Sequence, residues 1–199
     1  PQPGEISLAH NGILFLDELT EFRRTTLEVL RQPLESKQVL IARANMNVEF
    51  PAAFLLVAAM NPCPCGFFGD SRKQCLCSDH QITAYLGKLS GPLLDRIDLH
   101  VPVTSINYDE LKKNTVKEQS SQELYDGVSR ARAVQAQRNG ATSNAHLTSN
   151  EIEKHCVLTP DAERVMKLAF DRLQLSMRGY HKILKVARTV ADLQASELI

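Results

Sequence analysis

The sequence predicts an α/β core followed by an all-helical part. Two apolar runs, residues 12–16 and 54–60, show no alternation of apolar and polar residues. This pattern is typical of central strands in a parallel sheet that is buried on both faces. From Asp109 onward, apolar residues recur only with helical spacing. The α/β part is therefore expected to end near residue 103.

The core is also expected to contain helices and one hairpin. Residues 20–31 carry apolar side chains at helical spacing among charges, which predicts a helix that Pro33 stops. Apolar runs on both sides of Ala44-Asn45 predict a hairpin over 38–51 with a projecting tip. A helix near 79–88 and a short strand around 97–103 complete this part.

The second part is predicted to be a series of helices with recognisable ends. Two of the predicted helices cover 109–114 and 121–138, and the second of these ends before a capping Gly140. Three more are predicted to begin after Ser149, after Thr159-Pro160-Asp161 and after Ser176. The fourth helix is expected to bury Val165, Met166, Ala169 and Phe170. The last is expected to place on one face Tyr180, Ile183, Leu184, Ala187 and Leu193.

Composition excludes several classes of protein but indicates no partner. The 23 basic residues balance 23 acidic ones, so net charge gives no argument for nucleic acid. The chain has no run of 18 apolar residues and no charged-then-apolar leader. We therefore expect a cytoplasmic protein with neither a membrane span nor a signal peptide.

Asp17 and Glu18 follow the first apolar run directly. An Asp-Glu pair at the end of a buried strand suits ATP hydrolysis, because the Asp holds Mg²⁺ through its water shell and the Glu polarises the attacking water. The same acids also suit the start of a helix, where the helix dipole favours negative charge. The pair alone leaves both interpretations open.

Three further side chains fit a nucleotide site, each with a structural alternative. Asn61 ends the second apolar run and can orient the same water, or it is a turn residue before Pro62. Arg96 can neutralise charge on the γ-phosphate of a neighbouring subunit, or it forms a surface salt bridge with an adjacent Asp. Arg178 stands at the start of the last helix, where an arginine is usually solvated.

The order and spacing of these residues resemble AAA+ ATPases of the magnesium-chelatase class, and within it the chelatase-like competence protein family. The matching stretches run through nearly the whole chain: Pro3–Gly12 leading into Ile13–Leu19, Arg31–Glu35, Asn61–Gly66, Ser90–Asp98 and Ala187–Leu193. The resemblance implies an α/β fold with a partial P-loop (AAA+) parallel-sheet core over 1–103 and an all-helical lid domain over 104–199. The segment 38–51 would be the hairpin that precedes sensor 1.

The resemblance also implies roles for single residues. Asp17 and Glu18 would be the Walker B pair, with Asp17 on Mg²⁺, and Asn61 the sensor-1 residue. Arg96 would be the arginine finger and Arg178 the sensor-2 arginine. ATP and Mg²⁺ would be the cofactors, and the full-length protein would assemble as a hexameric ring.

The chain departs from the family pattern in lacking a Walker A loop. No Gly-x-x-x-x-Gly-Lys-Ser/Thr occurs, and Gly87-Lys88-Leu89 lacks both the first glycine and the hydroxyl. In the family this loop and an amino-terminal protease-like domain come earlier. We therefore expect a carboxy-terminal fragment that does not hydrolyse ATP alone, since the triphosphate loses its main anchor.

Four cysteines form two closely spaced pairs, and these predict a metal site. Cys63-x-Cys65 and Cys75-x-Cys77 are separated by nine residues. Four sulfurs suit a tetrahedral Zn²⁺ site, although a one-residue gap strains chelation by both sulfurs of a pair. The alternatives are reduced thiols in a mobile loop, His80 as a substitute ligand, and disulfides formed by oxidation. Cys156 is expected to be a core residue.

Two classes of function follow from these features. The preferred hypothesis is a motor that remodels DNA, for example by branch migration during uptake and recombination, because the cysteine loop is not expected in porphyrin chelatases. Within enzymes, the alternative is a metal-chelatase ATPase subunit. In a different class, the chain would be a non-catalytic zinc-binding interaction module whose acids and arginines are structural.

Overall fold

The computed structural model describes residues 2–43, 46–103, 105, 119–140 and 142–199. Contacts between residues divide the chain into two units, Pro1–Ser105 and Ile106–Ile199. A small parallel sheet with helices occupies the first unit, and the described part of the second is helical. The predicted fold class is confirmed.

The sheet of the first unit consists of the two predicted strands, β1 (Ile13–Leu16) and β4 (Leu55–Ala58). They pair in parallel, with Leu16 opposite Ala58. The prediction that both faces are buried is wrong. Ile13 and Phe15 are 63% and 58% exposed, because the described residues place no layer on that face.

The first unit also contains short helices and a hairpin. Their bounds are α1 (Glu5–Leu8), a 3₁₀ turn (Leu19–Glu21), α2 (Arg24–Val29), α3 (Arg31–Ser36), the hairpin strands β2 (Gln38–Arg43) and β3 (Met46–Pro51), α4 (Asp79–Leu86) and α5 (Gly91–Leu94). The hairpin is antiparallel as predicted, and its predicted tip at 44–45 lies outside the described residues. The core of the unit is formed by buried leucines, namely Leu19, Leu27, Leu30, Leu89 and Leu93.

Two expectations for this unit are wrong. Pro33 does not stop a helix but lies in the first turn of α3, where a missing N–H costs little because first-turn amides lack an intrahelical partner. The helix predicted over 20–31 is instead a 3₁₀ turn followed by α2. Residues 97–103 form no strand, since none of the described residues pairs with them.

The helical unit matches most of the predicted helix ends. Its elements are α6 (Ser121–Asn139), a 3₁₀ turn (Asn144–His146), α7 (Ser149–His155), α8 (Pro160–Leu173) and α9 (Met177–Leu193). Gly140, Thr159 and Ser176 cap helices as predicted. Ser149 does not, because Thr148 accepts a hydrogen bond from the N–H of Glu151 and forms the cap. The helix predicted over 109–114 lies outside the described residues.

The interior of the helical unit combines an apolar cluster with buried charges. Leu147, Ile152, Cys156 and Leu184 pack together, so the prediction for Cys156 is confirmed. Val165 and Phe170 of α8 and Leu193 of α9 are 67%, 36% and 53% exposed, contrary to expectation. No residue of α8 is buried, and α9 turns Leu184, Arg188, Ala191 and Asp192 inward instead. In the part of the chain that the structure describes, no helix combines the length and apolarity needed to cross a bilayer.

Candidate functional site

The parallel pairing of β1 and β4 brings the predicted polar residues to one edge of the sheet. Asp17 and Glu18 follow β1, and Asn61 follows β4 three residues after Ala58. Glu18 and Asn61 both line a cleft of about 560 Å³. The two strands are therefore neighbours in the sheet, which the role considered for Asn61 requires.

The opposite wall of this cleft is α4 and the turn that follows it. The residues on this side are His80, Gln81, Ala84, Tyr85 and Lys88. The capping box of Ser78 fixes the start of α4, because its hydroxyl accepts from Gln81 N at 3.3 Å and its N–H donates to Gln81 Oε1 at 2.8 Å. Tyr85, on the same helix, is buried.

A tight turn presents the acid pair to solvent. Glu18 has a left-handed backbone with φ 49° and ψ 49°, a conformation that costs free energy for a residue with a side chain. Glu18 N donates to Asp17 Oδ1 at 2.8 Å, and Leu19 N donates to Ala59 O at 2.9 Å. These two bonds hold the strained turn, and both carboxylates remain exposed.

The donor atoms at this edge fit a magnesium ion. Asp17, Glu18 and Asn61 offer carboxylate and amide oxygens, which Mg²⁺ prefers, and their exposure leaves room for the waters that the ion retains. No phosphate-binding loop can be assigned beside these oxygens, because no Walker A sequence occurs in the 199 residues.

Lys88 is a cleft residue that sequence reasoning missed. Its Nζ donates to the carbonyl of Thr20 at 2.7 Å and lies 4.0 Å from the Glu21 carboxylate. The lysine thus ties the end of the α4 wall to the 3₁₀ turn behind the acid pair. No local pattern distinguishes it, since its partners lie almost seventy residues earlier.

Arg96 lies just beyond α5 and is held by its own unit. Its Nη1 donates to Pro92 O at 2.6 Å, and Nη2 forms an ion pair with Glu35. The side chain is only 14% exposed, and within the described residues its buried Nε has no hydrogen-bond partner. Sequence reasoning considered only the neighbouring aspartates as partners, because a partner 61 residues away leaves no signal in the spacing.

Arg178 belongs to the other unit. It is the second residue of α9, and its side chain is exposed. The acid pair, Asn61, Arg96 and the four clustered cysteines all lie within Pro1–Ser105.

The four predicted cysteines meet in one cluster. All four Sγ atoms lie within 4.8 Å of one another, and the distances that join Cys63, Cys65 and Cys75 are 3.4, 3.5 and 3.6 Å. A tetrahedral zinc ion with bonds of about 2.3 Å requires sulfurs about 3.8 Å apart. A disulfide requires about 2.05 Å, and all five cysteines are free thiols. The spacing therefore fits a four-sulfur metal centre.

Main-chain amides and close sulfurs shift the cysteine pKa values in opposite directions. The amides of Leu76 and Phe67 lower the pKa of Cys65 to about 6. For Cys75 the amide of Cys77 acts to lower the pKa, but burial and the neighbouring thiols raise it to about 12. Four sulfurs this close do not all ionise without a cation, because each new thiolate repels the others.

His80, which was considered above as a substitute ligand, lines the cleft. Among the described residues, the cluster of ligand atoms within 4.8 Å of one another consists of the four cysteines and does not include it. The amide of Phe68 donates to Cys63 Sγ at 3.3 Å, a bond that favours the thiolate. The donor set suits a soft or borderline divalent metal such as Zn²⁺.

Comparison with known proteins covers nearly the whole chain. Residues 1–111 match the family described as magnesium chelatase, subunit ChlI, and residues 118–199 match its C-terminal region. Over all 199 residues the chain is 47% identical to competence protein ComM of Haemophilus influenzae and 43% identical to the uncharacterized protein YifB of Escherichia coli. It is 22% identical to magnesium-chelatase subunit ChlI-2 of Arabidopsis thaliana.

The chain spans only about two fifths of the length of these relatives, from 38% for ComM to 42% for ChlI-2. The two family matches cover residues 1–111 and 118–199, ranges that contain the acid pair, the cysteine loop and the last helix. The chain therefore belongs to the magnesium-chelatase ChlI family of AAA+ ATPases, as its resemblance to the chelatase-like competence proteins predicted.

Proposed function

We propose that the whole protein is a ring-forming ATPase that remodels DNA, and that this chain supplies the part of its site that handles Mg²⁺ and water. The observation that carries the proposal is the register of β1 with β4, with Leu16 opposite Ala58, which directs Glu18 and Asn61 into one cleft. The left-handed backbone of Glu18 is a conformation that a purely structural acid does not need.

Each residue has a defined part in the proposed hydrolysis. Asp17 would hold Mg²⁺ through its water shell, and Glu18 would accept a proton from the attacking water while Asn61 orients that water. Arg96, acting on the site of a neighbouring subunit, would neutralise charge that develops on the γ-phosphate, and Arg178 would contact the nucleotide from the lid. Bound Mg-ATP supplies the phosphoryl group that is transferred to water.

The proposal concerns the whole protein because these 199 residues contain no phosphate-binding loop. The backbone amides and the lysine of such a loop supply most of the contacts to a triphosphate. We therefore expect this chain alone to bind Mg-ATP very weakly and to show no turnover. Low-micromolar affinity in isothermal titration would mean that another segment holds the phosphates.

DNA is the favoured substrate because of the relatives. A competence protein shares 47% of its residues with this chain, whereas a plant magnesium-chelatase subunit shares 22%. The alternative is the ATPase subunit of a metal chelatase. The two are separated by asking whether branched DNA or a porphyrin with its partner subunits stimulates ATP turnover by the whole protein.

The proposal is tested by ATPase and strand-displacement assays on the whole protein. Glu18→Gln should lower kcat by roughly two to four orders of magnitude, the usual contribution of a general base, with ATP still bound. Glu21→Gln is the matched control, because Glu21 lines the same cleft but only faces Lys88 at 4.0 Å. If both variants retain full activity, the acids are structural and the non-catalytic interaction module becomes the better hypothesis.

Arg96 has a separate test. Arg96→Ala should leave folding and ATP binding nearly intact while lowering turnover by about three orders of magnitude or more. Mixing Arg96→Ala with Glu18→Gln subunits should restore some hydrolysis at interfaces where an intact arginine faces an intact site. Loss of folding, or no recovery in any mixture, would show that the ion pair with Glu35 is the whole role of Arg96.

We also propose that Cys63, Cys65, Cys75 and Cys77 bind one Zn²⁺ per chain. The support is the spacing of the sulfurs, which lies close to that of a tetrahedral site, together with the amide that donates to Cys63 Sγ. Elemental analysis of protein purified without chelator should give about one zinc per chain, and Cys75→Ser should lower it. Wild-type protein that contains no zinc under reducing conditions would refute this site.

A further inference from the structure

The cysteine cluster is continuous with both walls of the cleft. On one side, Cys63 follows Asn61 by two residues, and Pro64 between the first two cysteines itself lines the cleft. On the other side, Cys77 immediately precedes Ser78, the N-cap of α4. The four sulfurs thus join the segment that carries Asn61 to the start of the helix that forms the opposite wall.

Without a cation, the contacts that join these two segments at the cluster are weak ones to sulfur. The sulfurs touch at 3.4–3.6 Å, and thiols are weak donors and weak acceptors. Within the loop, Asp70 Oδ1 accepts from the amides of Arg72 and Lys73 at 2.6 and 3.1 Å. The Leu76 amide donates to the Cys65 sulfur, and Arg72 Nε donates to Ser105 Oγ at 3.1 Å. Cys63 is nevertheless completely buried, which a reactive surface thiol would not be.

We propose that a divalent, thiolate-binding metal ion such as Zn²⁺ at the four cysteines acts as a clamp that fixes Asn61 and α4 relative to each other. The inference rests on the proposed zinc site and extends it to the geometry of the cleft. Any thiol that is still protonated releases its proton to solvent as the metal binds, so four metal–sulfur bonds replace weak sulfur contacts. The cysteines are positioning residues, because none of them lines the cleft.

The clamp has a specific mechanical consequence. When the ion is removed, the two Cys-x-Cys arms are free to separate, and α4 loses the anchor just before its first turn. Glu18 stays in place, because the main-chain bond from Leu19 N to Ala59 O does not involve the loop. Metal loss therefore changes the position of Asn61 and of the α4 wall relative to a fixed Glu18.

Hydrogen–deuterium exchange on the 199-residue chain tests the clamp without any need for activity. Zinc-loaded and chelator-treated samples are compared under reducing conditions, with zinc content measured on the same samples. We expect zinc to slow exchange at residues 61–66 and 79–86 by about tenfold or more, and to leave α9 in the helical unit unchanged. Re-adding zinc should restore protection.

Two variants make the result specific. Cys75→Ser should abolish the zinc-dependent protection, whereas Cys156→Ala should retain it, because Cys156 packs in the core of the helical unit. If Cys75→Ser also exposes the β2–β3 hairpin, the variant is unfolded, and the reversible chelation of wild-type protein decides the question.

The outcomes separate the clamp from the site. One zinc per chain with no change in exchange at 61–66 and 79–86 overturns the clamp and leaves the metal site standing. No zinc binding overturns both. In the whole ATPase, chelation should lower kcat by about tenfold or more with little change in the KM for ATP, since Asn61 is proposed to act on the water. If chelation lowers kcat equally in a variant that already lacks Asn61, the metal does not act through the position of Asn61.

Discussion

Asp192 accepts four hydrogen bonds in the described part of the helical unit, and replacing it with asparagine should destabilise that unit. Its Oδ1 accepts from Arg138 Nη1 at 2.6 Å and from Arg188 Nε at 3.0 Å. Its Oδ2 accepts from Arg138 Nη2 at 2.9 Å and from Asn144 Nδ2 at 2.8 Å. The carboxylate is fully buried, and Arg188 is 1% exposed.

The magnitude follows from what asparagine would leave behind. Asp192→Asn keeps the shape but removes the negative charge, and in either orientation its NH₂ group faces two N–H donors. Two guanidinium groups then lack their counter-charge, one of them fully buried. Removing one partner of a buried ion pair costs about 3–5 kcal/mol. For a unit of this size, each kcal/mol lowers Tm by about 4–8 °C, so a fall of at least about 12 °C is expected.

Urea denaturation followed by hydrogen exchange measures this effect locally. Amides of α9 should lose protection at a lower urea concentration in Asp192→Asn, while the β2–β3 hairpin serves as an internal reference. Asp161→Asn is the matched control. Asp161 also pairs with an arginine, Arg164, but both side chains are about four-fifths exposed, so its loss should cost less than about 1 kcal/mol. Equal effects of the two variants would refute the reasoning.

The same network predicts a pH dependence. Burial acts to raise the pKa of Asp192, but the hydrogen bonds from Arg138 and Asn144 outweigh it and lower the pKa below the ordinary 3.8. A carboxyl pKa that is lower in the folded than in the unfolded protein stabilises the fold at pH values above the unfolded-state pKa. This contribution is lost as pH falls through the folded-state pKa. Wild-type protein should therefore lose its advantage over Asp192→Asn below about pH 4.

Three further predictions concern other parts of the chain. In metal-free protein at pH 7, iodoacetamide should modify Cys65 before Cys75, because their pKa values are about 6 and about 12. Labelling of Cys65 should slow as pH falls below 6, where its thiolate becomes protonated, while Cys65 stays ahead of Cys75; equal labelling of both peptides by mass spectrometry would contradict this. Leu93→Ala, at a position 1% exposed in the leucine core, should cost about 2–5 kcal/mol in urea unfolding. Gly140→Ala should destabilise the protein by about 1–3 kcal/mol, because Gly140 has φ 66° and ψ −140°. Gly127→Ala within α6, where an added Cβ meets nothing within 4 Å, should instead stabilise it by up to about 1 kcal/mol. Stability changes of the same sign in both variants would refute the argument.

The sequence was sufficient to predict features that depend on neighbouring residues. An uninterrupted apolar run ending in acids identified β1, and the same logic placed Asn61 after β4, because the carboxyl ends of parallel strands share one edge. Helix caps were equally readable at Thr159 and Ser176, whose hydroxyl groups accept from main-chain amides three residues later. These features involve few residues and short separations, so local chemistry decides them.

Features that depend on distant partners could not be predicted in this way. Glu35 binds Arg96 across 61 residues, and Asp192 binds Arg138 across 54, and no periodicity reports such pairs. The exposed face of β1 was missed for a related reason, since an apolar run shows that a strand is fit for burial but not which layers cover it. The cysteines were an intermediate case, because their spacing indicated a metal but not that they border the cleft.

The cleft is held together in two different ways, and this difference decides how its parts can be perturbed. Glu18 is fixed by the sheet, through Ala59 N to Leu16 O and Leu19 N to Ala59 O, both at 2.9 Å. In the described part of the chain, the next main-chain hydrogen bond beyond Ala59 lies within the cysteine loop, from Gly66 N to Cys63 O at 3.0 Å. Asn61 stands between these two anchors. Its distance from Glu18 therefore depends on the sheet at one end and on the sulfur cluster at the other, so a change confined to the cysteines can alter the spacing of the two residues proposed to act on water without touching either of them.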